Sequence, residues 1–77
     1  MRQYISETEL NNIISSTSLK ELCDLNILIA QKDEDKMLYV LSNIDALYNY
    51  SVQKHKSSYI SHALELYKLC FWFDPCF

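Results

Sequence analysis

Gln31–Val52 reads QKDEDKMLYVLSNIDALYNYSV, and the spacing of its apolar residues decides the fold. Met37, Val40, Leu41, Ile44, Leu47, Tyr48, Ser51 and Val52 fall on one stripe with the period of an amphipathic helix. No glycine or proline interrupts the stripe. One unbroken helix over about 34–55 is therefore expected; the alternative is a break near Asp45. Asp33, Glu34 and Asp35 stand at its start, where free N–H groups favour negative charge. They read as a cap and a solvated turn, because a calcium loop needs interleaved oxygen ligands and a glycine. Gln31 to Lys36 is the polar connection leading into the helix.

Outward from this stretch, the same reading continues. The chain has no glycine, which disfavours tight β-hairpins with their positive φ angles. No segment alternates apolar and polar residues for long. The expected fold class is all-α, a single domain over 1–77 built as a small bundle of about four helices. The first, about 6–15, starts at a Ser6–Glu9 capping box and carries Leu10, Ile13 and Ile14 as its apolar stripe. Ser15-Ser16-Thr17-Ser18 ends it, since these side chains compete for backbone hydrogen bonds. The second, about 19–31, follows a Ser18–Glu21 capping box with Leu19, Leu22, Cys23, Ile29 and Ala30 on one face. The last, about 59–73, carries Ile60, Ala63, Leu64, Tyr67, Cys70 and Phe71 and stops before Pro75.

Composition narrows the function. Apolar residues make up 49% of the 77 and aromatics 13%, which is ample for a folded core. The net charge is −3 and the seven Lys and Arg are scattered, with Lys54-His55-Lys56 the only basic cluster, so a nucleic-acid partner is disfavoured. Cys23, Cys70 and Cys76 are odd in number and lack C-x-x-C spacing, so reduced thiols and a cytoplasmic location are expected. The first residues have no apolar signal region, and no run approaches the roughly 20 apolar residues of a membrane span. Asn49-Tyr50-Ser51 matches a glycosylation sequon by chance, inside an expected helix.

No catalytic constellation assembles. His55 and His62 straddle a turn without a carboxylate spaced to orient either. There is no Gly-rich phosphate loop and no H-E-x-x-H, and the irregular His and Cys spacing does not make a zinc site. No enzyme, cofactor or metal is expected. Phe71-Trp72-Phe73 is the notable cluster: successive helical residues point about 100° apart, so one small core cannot readily bury all three. They are expected to be shared between core and partner interface.

Ala63, Tyr67, Cys70 and Pro75 form a small–aromatic–small–proline pattern that resembles the second helix of a tetratricopeptide repeat. The window Ile44 to Pro75 looks like one whole repeat, with Leu47, Tyr50 and Ser51 in the first helix and Ser58 at the turn. Glycines usual near Ser51 and Ser58 are absent, and Lys54 replaces an aromatic. Ala46 to Phe73 is further similar to the first repeat of type III secretion translocator chaperones, and co-chaperones of needle subunits are a related kind. The resemblance implies a tetratricopeptide-like helical hairpin whose concave positions, Asp45, Tyr48, Val52 and His55, hold a helical partner. The expectation is a protein-interaction module, a small chaperone or adaptor that binds a helical protein or a second copy of itself. The alternative is a viral, phage or plasmid-encoded helical inhibitor that masks a host protein, compatible with the Asn-, Ile-, Ser- and Lys-rich composition.

Overall fold

The stripe from Met37 to Val52 is two elements rather than one helix. In the computed structural model, which describes residues 2–56 and 60–76, the chain runs β1 (Tyr4–Ser6), α1 (Glu7–Ile13), α2 (Ser16–Asp24), β2 (Leu28–Asp33), β3 (Lys36–Leu41), α3 (Ile44–Lys56) and α4 (Ile60–Phe73). The strands form one antiparallel sheet in the order β1-β3-β2. The class is mixed α and β, which overturns the all-α bundle and, with it, the helices expected over 19–31 and 34–55.

Each correction has a local cause. β3 is the central strand, and Met37 to Leu41 is apolar without a break. A strand with apolar side chains on both faces shows no alternation and resembles a buried helix segment over so short a run. Asn43 then starts a new helix. Its Oδ1 accepts from the Asp45 N–H at 2.8 Å, and its carbonyl accepts from Leu47 at 3.2 Å. In the second segment the N-cap is Ser15 rather than Ser18, so α2 begins three residues early and ends at Asp24. Ser6 does cap α1, accepting the Glu9 N–H at 3.3 Å.

The turns place positive φ on residues other than glycine. Asn26 has φ 60° between α2 and β2, a conformation asparagine tolerates. Glu34, the first of two residues between the paired Asp33 and Lys36, has φ 54°. The left-handed region is unfavourable for glutamate by about 1 kcal/mol, which is why the acidic run did not read as a hairpin turn.

Register assigns the faces. Ile5, Tyr39 and Ala30 form one cross-strand row, and Leu28 pairs with Leu41; this side carries the buried Ile5 and Leu28. Leu10 and Ile14 from the α1 end, Leu22 of α2, Leu47 of α3 and Leu66, Leu69, Cys70 and Phe73 of α4 complete the core against it. The alternate row, Tyr4–Val40–Ile29, lies on the other face, with Tyr4 60% and Ile29 50% exposed.

α3 and α4 pack closely through small buried residues, with Ser51 Oγ and Cys70 Sγ 3.3 Å apart. They are not a tetratricopeptide-like unit. A strand stands where a preceding helix would stack, and α4 also packs on α1 and closes the core under the sheet. Ser58, the expected repeat turn, lies outside the described residues.

Replacing Glu34 by asparagine should raise the unfolding free energy by about 0.5–1 kcal/mol, and Glu34→Val should lower it. Urea titration followed by circular dichroism checks both.

Candidate functional site

Ile14 and Ser15 join α1 to α2 in a tight turn, and the β2–β3 hairpin follows α2. The order of helix, short connection, helix and hairpin is that of a helix-turn-helix unit followed by a wing. Two sets of polar contacts fix α2 in place. At its N-terminus, Ser15 Oγ accepts from the Ser18 N–H at 3.3 Å. Glu65, from α4, accepts from Ser18 Oγ at 3.1 Å and from the Ser15 N–H at 3.4 Å. The carboxylate thus sits where the first N–H groups of the nine-residue α2 favour negative charge. Further along α2, Glu21 accepts from the Tyr50 hydroxyl of α3 and lies 3.4 Å from Lys54 Nζ. Lys54 also sits 5.5 Å from the Tyr50 ring.

Held on that side, α2 turns Ser16, Thr17, Lys20 and Asp24 to solvent. Gln31 to Lys36 at the hairpin end is exposed as well. Between Arg2 and Leu41 there are four Lys or Arg against seven Asp or Glu, whereas the rest of the chain is balanced. The whole net charge of −3 therefore belongs to the helix-turn-helix and sheet.

The aromatic tail is divided among three environments. Phe73 is fully buried, Phe71 is 58% exposed, and Trp72 is half-buried between them. Trp72 donates its ring N–H to Glu9 at 3.1 Å and lies 4.6 Å beneath the Arg2 guanidinium. Arg2, Gln3, Tyr4, Glu9 and Trp72 line an open cavity of about 580 Å³. Asp45, Tyr48, Val52 and His55 share one face of α3, as their spacing requires. Asp45 and His55 are exposed, Tyr48 is 43% exposed, Val52 is half-buried, and the His55 ring packs edge-on against Tyr67 at 5.7 Å.

Sequence reasoning missed the outward face of α2, the hairpin and Tyr4. A signal was present: Asn26 and the Asp33–Asp35 turn-formers bracket Leu28, Ile29 and Ala30.

Neither Cys23 nor Cys70 is activated. Burial pushes the Cys70 thiol up, against the lowering effect of its Ser51 hydrogen bond, and burial followed by the Asp24 charge pushes Cys23 up. Cys76 is exposed. Among the described residues no group of His, Cys, Asp or Glu is placed to hold a metal ion, and no helix is long and apolar enough to cross a membrane. No protein-family model, curated protein or solved structure significantly matches the chain.

Glu65→Ala should destabilise the fold by about 1–2 kcal/mol by removing a charged acceptor from two donors; thermal melting and denaturant titration report it. The proton balance sets a second outcome. Tyr50 is pushed up by burial and by its hydrogen bond to Glu21, and Tyr39 by burial, above an ordinary 10.0; Cys23 and Cys70 lie above 9.0. The folded chain thus keeps protons that the unfolded chain loses first. Stability should hold up to about pH 9 and fall above it, and Tyr50→Phe should make the fall above pH 10 shallower.

Proposed function

We propose that this protein is a small binding module that recognises another protein through the outward face of α2 and the adjoining hairpin. The supporting observation is the charge. Nucleic-acid binding relies on Lys and Arg set against phosphates, and on this surface Lys20, Lys32 and Lys36 are outnumbered by Asp24, Asp33, Glu34 and Asp35. A surface of hydroxyls and mixed charge suits a protein partner with basic groups facing the hairpin tip. Whether the contact carries a partner as an adaptor or masks it as an inhibitor, the recognising surface is the same. The secretion-chaperone version rested on the repeat resemblance, which the sheet removes. Three free thiols fit a reducing compartment such as the cytoplasm. Tyr48 and Val52 on α3 and Phe71 on α4 form a separate, secondary contact region in this reading.

A second reading is sequence-specific DNA binding. It is favoured by the order of the elements, helix, short connection, helix and hairpin, since the second helix of a helix-turn-helix unit enters the major groove. Salt dependence separates the two. Affinity capture from a lysate at moderate salt, followed by mass spectrometry, should recover a specific protein, and Thr17→Arg with Lys20→Glu should abolish that recovery. Fluorescence anisotropy with mixed-sequence duplexes should give no binding tighter than about 100 μM near physiological salt. Tight duplex binding that weakens steeply with added salt would establish the second reading in place of the first.

A further inference from the structure

α3 and α4 share an outer face on the side away from the core. On α3, Tyr48, Val52 and His55 turn away from the fully buried Leu47. On α4, Leu64, Tyr67 and Phe71 turn away from the buried Leu66, Leu69 and Phe73, and their spacing of three and four keeps them together. The His55–Tyr67 ring contact brings the two sets side by side. Leu64 and Phe71 are each more than half exposed. The face is separate from the α2 surface. Tyr50 and Lys54, which hold α2, stand two residues before and after Val52, about half a turn round α3 from it.

Charge gives this face a direction. Asp45 stands at one end of α3 and Lys56 at the other, both exposed, with Tyr48 and Val52 between them. The four residues advance by three, four and four, which keeps them on one stripe about 16 Å long. Among the described residues neither Asp45 nor Lys56 makes an ion pair. We propose that the face packs on the same face of a second copy of this chain, with the helices antiparallel across a two-fold axis between Tyr48 and Val52. Asp45 then lies opposite the second copy's Lys56, and Tyr48 opposite its Val52, each contact occurring twice. The Ser51–Cys70 contact at 3.3 Å sets the level of α4 against α3. It puts Phe71, the exposed phenylalanine, at the same axis, where it meets its own copy. Lys68 falls level with the second copy's Asp74, so no like charges stand opposite one another.

This layout selects the occupant. The face is apolar at its middle, acidic at one end and basic at the other, so it is complementary to itself turned end for end. A foreign helix would have to reproduce that order, whereas a second copy supplies it by symmetry. The product is a four-helix bundle of α3 and α4 from both copies, with the helices packed as antiparallel neighbours. A chain of 77 residues leaves a large share of its surface uncovered, and this contact removes apolar area that folding alone does not. Both α2 surfaces stay open in the dimer, so the inference does not depend on what α2 recognises.

Sedimentation velocity of the full chain, with reductant present to keep Cys76 unpaired, tests the proposal over roughly 1 μM to 1 mM. The wild-type chain should shift from monomer to dimer. Phe71→Ser, a change at an exposed position, should weaken dimerisation at least ~10-fold with little change in circular dichroism. Tyr48→Ser takes its place if that variant fails to fold. Charge reversal tests the antiparallel arrangement. At low ionic strength Asp45→Lys and Lys56→Asp should each weaken the dimer about 5-fold, because each change acts at two symmetric contacts. Combining them should restore dimerisation to within about 2-fold of wild type. A wild-type chain that stays monomeric throughout, a folded serine variant that dimerises as well as wild type, or a folded double variant that dimerises no better than the single ones overturns the proposal.

Discussion

The carboxylate of Glu65 connects the parts of this protein that sequence keeps far apart. It reaches from α4 to Ser15 and Ser18, sets the start of α2, and so fixes which face of that helix turns outward. The anchoring depends on α4 being rigidly placed, and its other residues ensure that. Leu66, Leu69, Cys70 and Phe73 fill the core beneath the sheet, and Trp72 is clamped by Arg2 and Glu9. The small helix-turn-helix and three strands could cover only part of their apolar surface alone. α4 supplies the missing layer.

How much of this was legible varied with the kind of signal. Short-range chemistry was read correctly at Ser6, where the cap bonds a neighbour three residues away, and at Pro75, which follows the end of α4. The pair of strands was not, because β3 needs partners on both sides to exist and shows no alternation without them. The absence of glycine was a poor guide for the same reason: tertiary pairing holds Glu34 at a φ that local preference opposes. Ser18 illustrates the limit well. Its spacing to Glu21 suggested a local cap, but its hydroxyl serves a residue 47 positions away.

The expected partner-facing residues show a similar division. Asp45, Tyr48, Val52 and His55 do share a helix face, since period alone determines that. Phe71, Trp72 and Phe73 were expected to share the work of core and interface, and the structure gives each a separate environment. The outward side of α2 escaped notice because Ser16, Thr17, Lys20 and Asp24 carry no distinctive pattern. Only the packing that covers the opposite side marks it out.

The bonds that join Arg2 to Phe73, and Glu9 to Trp72 across 63 residues, also govern the order in which the molecule can form. During synthesis the strands and first helices emerge with the apolar underside of the sheet uncovered, because the helix that seals it follows them in the chain. Closure must wait for long-range contacts, which are slow to find. For that interval the nascent chain presents both a bare sheet face and unpaired strand edges, the features that recruit chaperones or promote misassociation.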